Sequence, residues 1–283
     1  MGIFDFLKWN RNVENDNGFN KIYQADGTYE IGNKVNGKNQ GEWQFFNNEG
    51  KIISEIDFND GKTINIKSFH PNGKLQYDIP IKNKQANGLK KEYDVNGILI
   101  CESNLKNGKL NGLTKNFFEN GSLESERVYK NDNQHGAYKS YHENGQLKFS
   151  GNFKDHMKSG FFEGYNENGV LIEESNWKND KLDGLSKEYY ETGELLFEYK
   201  YSNGVQVGTS IAYHKNGKKK MQASYKNGII DGLMKMWHES GKLFVEQYQD
   251  GEKRLYSKAW NEDGKLVFHE VDGKTLINNL EGK

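Results

Sequence analysis

Four of the seven histidines, His70, His142, His214 and His238, share one sequence setting: each stands three residues before a glycine in an Asn-Gly or Ser-Gly pair. A recurring imidazole suggests a metal site. Zinc, however, needs its ligands to converge at about 2 Å from one ion. Equivalent residues of successive hairpins lie two strand spacings apart, roughly 9–10 Å, so this row is not expected to bind metal. Cys101 is the single cysteine, which excludes an internal disulfide or a multi-cysteine metal site. It stands in phase with Phe149, Phe197 and Met221 and reads as a small packed residue, not a nucleophile. Glu102, Glu126, Glu174, Glu198 and Glu246 also recur at one phase, whereas acid–base catalysis requires a uniquely perturbed pair. There is no phosphate-binding glycine loop, no HExxH and no Gly-x-Ser-x-Gly elbow. The expectation is a non-enzyme with no catalytic residue, no metal and no cofactor.

The chemistry left to these side chains is recognition. Tyr141, Tyr165, Tyr189, Tyr213 and Trp237 recur at one phase, with Lys139, Lys187 and Lys235 two residues before three of them. Tyr and Trp dominate interaction hot spots, so these eight residues are the candidate partner-binding set. The competing reading makes the aromatics core. In that reading the lysine stems lie over the rings, and the heads of Lys115, Lys139, Lys187 and Lys235 meet Glu119, Glu143, Glu191 and Glu239 four residues on.

The elements that position these residues follow from the glycines. They stand at 27, 50, 73, 97, 121, 145, 169, 193, 217, 241 and 264, always 23 or 24 apart. Each is preceded at minus four by an aromatic, from Tyr23 to Trp260, and most are followed at plus two by Leu or Ile. A second glycine recurs at plus fifteen (Gly88, Gly112, Gly136, Gly160, Gly184, Gly208, Gly232), and a third set, including Gly61, Gly108, Gly204 and Gly228, at plus eleven. Such a period marks a repeat architecture. A three-residue turn closed by a left-handed glycine bulge would set the aromatic opposite the leucine on one face. The same parity sets plus eight (Phe153, Trp177) opposite plus sixteen (Phe161, Leu185) and puts the plus-five glutamates on the other, solvent face.

The predicted fold is all-β: an elongated single-layer antiparallel meander of about ten 24-residue hairpins, forming a twisted solenoid-like ribbon. Residues 21–273 form the array. Residues 1–20 form an N-terminal segment, with an amphipathic helix over 3–9 and a polar linker over 10–20, and residues 274–283 a C-terminal cap. Asn65, which replaces a second glycine, and Pro80 predict an irregular stretch around 50–90, with a bulge, bend or break at the proline. Composition agrees, with 34% hydrophobic residues, 32 glycines and 2 prolines. A net charge of −1 provides no field for nucleic acid, and no apolar stretch is long enough to span a bilayer. The first residues lack a secretory pattern, which points to a cytoplasmic protein.

The units Tyr141-His142-Glu143-Asn144-Gly145-Gln146-Leu147 and Tyr189-Tyr190-Glu191-Thr192-Gly193-Glu194-Leu195 resemble the bacterial variant of the MORN repeat, over about nine-tenths of the chain. That resemblance implies a β-hairpin array acting as a protein-interaction scaffold, an antitoxin or immunity protein that binds a protein toxin. It also implies an alternative, a phospholipid-associated scaffold using Ile3, Phe4, Phe6, Leu7 and Trp9 with Lys218-Lys219-Lys220. Only weak membrane binding is expected from so short a helix. A carbohydrate-binding aromatic ladder is a third reading.

Overall fold

The computed structural model describes residues 12–278; the helix expected over 3–9 lies outside them. All regular structure among the described residues is β-strand, antiparallel wherever strands pair. This is the expected fold class. The chain divides into two units, residues 1–134 and 135–283.

In the N-terminal unit each strand pairs with its sequence neighbour, from Gly18–Tyr23 on Tyr29–Val35 to Lys109–Phe117 on Leu123–Lys130. The segment expected as a linker is tied down where it is described. Val13 bridges Lys21, and Asn12 and Asn17 accept backbone hydrogen bonds from Tyr23 and Asn36 through their side chains. The C-terminal unit is again a meander, running to the hairpin of Leu266–Val271 with Lys274–Asn278.

Two kinds of turn alternate. The first is the expected one. The Gly145 N–H donates to the His142 carbonyl and the His142 N–H to the Gln146 carbonyl, both at 2.8 Å. Gly145 is left-handed (φ 84), and Tyr141 sits opposite Leu147. The second kind is a two-residue turn, as between Lys154 and Met157, with Asp155 and His156 both left-handed (φ 50 and 68). That backbone is the mirror-image type I turn, whose twist matches its strands.

The second turn overturns the expected pairing of plus eight with plus sixteen. Phe153 sits opposite Lys158, and Trp177 opposite Leu182. The plus-fifteen glycine is a wide bulge instead. Leu110 faces Leu105 and Thr114 faces Ser103, so residues 111–113 oppose Asn104 alone. The Asn104 amide closes the gap by donating to the Leu113 carbonyl at 2.7 Å, as Asn176 does for Leu185. The plus-sixteen residue is thereby turned outward: Phe161 is 45% and Leu185 41% exposed. Where Asn65 replaces the glycine, the bulge holds one extra residue, Ile64, and that unit is one residue shorter. Pro80 does not interrupt its strand, Leu75–Lys82. Its carbonyl accepts from the Asn87 N–H at 2.8 Å, as Lys200 accepts from Val207 in a unit without proline. The lost N–H thus falls where the wide bulge already opens the ladder.

The bulge at the first turn corrects the parity of the glutamates. Tyr189 faces Leu195 but Glu188 faces Phe197, so Leu196 is extra. One extra residue inverts the alternation. Glu198 therefore shares the face of Tyr189 and does not lie on the opposite one.

The opposite face holds the deepest burial in both units. In the N-terminal unit Trp43 (1% exposed) lies over Gly32, where a Cβ would come within 2.3 Å of the indole. In the C-terminal unit Phe162 (0%) lies over Gly151, with the Phe149, Phe153 and Trp177 rings 5.5–6.2 Å away. Lys158 lies over this cluster, 4.2 Å from the Trp177 ring. These two glycines are out of phase with the repeat because each makes room for one large ring.

Candidate interaction face

The histidine row is structural. A carbonyl can only accept a hydrogen bond, so Nε2 donates: His70 to Tyr93 at 3.0 Å, His142 to Tyr165 at 2.9 Å and His214 to Trp237 at 2.8 Å. Tyr190 holds the same position and its hydroxyl donates to the Tyr213 carbonyl at 3.0 Å. Asn144 and Asn216 add a second tie, from their side-chain amides to the Glu167 and Glu239 carbonyls. These four turns thus tie themselves to the next, 23 residues on, whereas the buried Nε2 of His238, the fourth histidine of the row, finds no hydrogen-bond partner among the described residues. Where the position holds Asp94 the side chain instead accepts from its own turn, at Ile98, and Asn166 does both, accepting from Val170 and donating to the Glu191 carbonyl at 3.0 Å. Cys101 is half-buried, with its sulfur 3.3 Å from the Ser103 hydroxyl. Among the described residues no group of three or more His, Cys, Asp or Glu side chains could hold a metal ion. No described helix is long and apolar enough to cross a membrane.

The candidate residues lie on the face opposite Phe162. Tyr141, Tyr165, Tyr189, Tyr213 and Trp237 are half-buried there. Lys187 reaches Glu174 at 3.7 Å and Lys235 reaches Glu246 at 3.1 Å, while Lys139 is exposed opposite Ser150. These lysines therefore pair across the strands rather than with acids four residues on, because the bulge places the plus-five glutamate directly opposite. The Tyr189 hydroxyl donates to Glu174 at 2.5 Å. Burial first, then Glu174 and Glu198, push the Tyr189 phenol above the ordinary tyrosine range. Tyr165 and Tyr213 are raised in the same way, by burial and then by Glu163 with Glu174 and by Glu198, respectively.

Following the lysine position from strand to strand gives a row of directly opposed residues. In the N-terminal unit it runs Lys21, Ile31, Gln44, Glu55, Lys67, Asp78, Lys91, Glu102, Lys115, Glu126, alternating in sign from Glu55 onward. In the C-terminal unit it runs Lys139, Ser150, Glu163, Glu174, Lys187, Glu198, Ile211, Gln222, Lys235, Glu246, Lys258. Alternation fails between Ser150 and Gln222. Glu163 stands where most other units carry lysine, Gln44 and Ile211 being the other exceptions, and it faces Glu174. Like charges directly opposite destabilise a sheet. On the buried face of the same strands Glu173 faces Glu188, and burial, then Glu173, raises the Glu188 carboxyl.

Reasoning from sequence missed two features of this face, the outward Phe161, Leu185 and Leu233 and the broken row. Both had a signal. The plus-fifteen glycine adds residues that shift parity, and Glu163 departs from Lys139 and Lys187 at one phase.

A β-hairpin repeat array with one face rich in tyrosine, leucine and paired charge is the class of protein that these features define. A family model described as MORN repeat variant matches residues 39–60, 62–83, 110–131, 134–155, 162–179, 182–203, 206–227 and 230–250. The chain belongs to the MORN repeat variant family. None of the curated proteins matches it. Among solved structures it is similar to TcdB2-TccC3 without hypervariable C-terminal region (12% identity, TM-score 0.19) and to TcdB2-TccC3-TEV (11% identity, TM-score 0.19). Each likeness covers 90% of this chain and 17% of the other, so the chain spans under a fifth of the structures it matches. At such TM-scores the likeness carries no functional weight.

Proposed function

We propose that the protein is a non-enzymatic interaction scaffold that binds a protein partner on the tyrosine-bearing face of its C-terminal unit. The observation that carries this reading is the coincidence, on one face, of half-buried aromatics with outward Phe161, Leu185 and Leu233. Tyr and Trp dominate interaction hot spots, where a few large side chains carry most of the binding energy. Tyr165, Tyr189, Tyr213 and Trp237 are the anchors, and Lys187 and Lys235 the rim. The finer proposal, drawn from the family resemblance, is an antitoxin or immunity role in the cytoplasm. Its test is co-expression with the product of the neighbouring gene. Rescue of growth that is lost in Tyr213→Ala/Trp237→Ala supports it, and no toxicity or no rescue removes it.

The membrane reading has less support. The Lys218 ammonium donates to the Ser240 carbonyl and Lys219 to Gln222, so two of the three clustered lysines are engaged within the chain. Co-sedimentation with anionic vesicles is expected at background.

A further inference from the structure

We infer that the segment spanning strands Met157–Tyr165 to Leu195–Ser202 docks a basic, apolar-studded peptide segment, one that alternates lysine or arginine with leucine-like residues. This rests on the interaction reading above and names the chemistry of its partner. Three observations converge. Phe161 and Leu185 project from equivalent positions of successive hairpins, two strand spacings or roughly 9–10 Å apart, so they form separate apolar steps and not a continuous groove. Beside them Glu163, Glu174 and Glu198 line the charge row; the one cation within the row, Lys187, is already 3.7 Å from Glu174, and Lys178 and Lys200 flank the stretch, Lys200 directly opposite Leu185. The array also departs here from its own rule. Lysine at position 163 would restore the alternation kept from Glu55 to Glu126 in the N-terminal unit, whereas glutamate sets like charges opposite each other.

A locally unfavourable choice within a regular array, on a face that also exposes large apolar side chains, is expected at functional sites. Charge complementarity selects the occupant. A cationic side chain placed between Glu163 and Glu174 relieves their repulsion while its apolar neighbours cover Phe161 and Leu185. An acidic or neutral segment would relieve nothing. A lipid surface does not fit, because anionic headgroups would meet three carboxylates.

The test uses the full chain and a fluorescein-labelled twelve-residue peptide alternating lysine and leucine, with lysine–serine and glutamate–leucine peptides as controls, read by anisotropy. The lysine–leucine peptide is expected to bind, and each control at least about tenfold more weakly, since both charge and apolar contact contribute. Glu163→Lys is expected to weaken binding about tenfold while leaving the fold intact, because lysine is the residue used at this phase elsewhere; Phe161→Ser should weaken it similarly. Glu188→Gln, on the opposite face, should leave it unchanged. Equal binding of the lysine–serine peptide, or indifference to Glu163→Lys, would overturn the inference. If the lysine–leucine peptide does not bind but a partner still depends on Tyr213 and Trp237, this inference falls and the scaffold reading stands.

Discussion

The same row of opposed side chains is built differently in the two units. From Glu55 to Glu126 every acid faces a lysine, and Lys67–Glu55, Lys91–Glu102 and Lys115–Glu126 come within 3.4–3.8 Å. Between Ser150 and Gln222 the rule lapses: Glu163 faces Glu174, and Ile211 sits between Glu198 and Gln222. The buried face shows no matching contrast. It is anchored by one large ring over one glycine in each unit, Trp43 on Gly32 and Phe162 on Gly151. One face of the array therefore maintains the fold in both units, while the other is free to diverge. Outward apolar residues occur on this face in both units, Leu89 in one and Phe161, Leu185 and Leu233 in the other, but the facing pair of glutamates adjoins only Phe161 and Leu185.

The largest effects should come from the shared anchors. Phe162→Ala and Trp43→Ala should each cost about 3–5 kcal/mol in urea unfolding, each lowering the stability of its own unit. An effect confined to one of the two substitutions would break the symmetry claimed for the buried face. Next, Lys91→Glu would copy the lapse into the N-terminal unit, between Asp78 and Glu102. It should destabilise by about 1–2 kcal/mol, whereas Glu163→Lys should stabilise by about 0.5–1 kcal/mol. If both destabilise, the charge row has no bearing on stability.

A smaller effect concerns pH. The folded Glu188 carboxyl is raised above its ordinary 4.5, by burial first and then by Glu173. It holds its proton more tightly in the folded state, so its contribution to stability is present in acid and is lost as pH rises through the raised value. Glu188→Gln should therefore be slightly more stable than the parent at neutral pH, and the gap should close as pH falls towards 4.5. A gap that widens on acidification would contradict this. Smallest of all, Lys115→Ala and Lys235→Ala should each change stability by no more than about 0.5 kcal/mol, because these ion pairs are half-exposed.

How much was legible in the sequence follows from how each feature is encoded. The hairpin period, the first turn and the pairing of Tyr141 with Leu147 were readable, because glycine, aromatic and leucine each hold one phase. The wide bulge was not readable. Its glycine was visible, but the number of residues it adds shows only in the backbone register, and everything downstream depends on that number. Hence Phe161 and Leu185, expected to pack, are exposed, and Glu174 and Glu198, expected on the far face, adjoin the tyrosines. The role of the histidines was hidden for another reason: a hydrogen bond to a carbonyl one repeat away leaves no mark in local sequence. The eight candidate residues do share one face, yet the signal that distinguishes one stretch of it was a single departure from period, Glu163.

The most direct test of the account places a photo-crosslinking phenylalanine derivative at residue 185, at residue 113 of the N-terminal unit and at residue 199 on the buried face, in the intact chain within its native cell. The account predicts a discrete crosslinked partner from position 185 and none from 113 or 199. Crosslinks from 199 alone, or equally from all three, would contradict it.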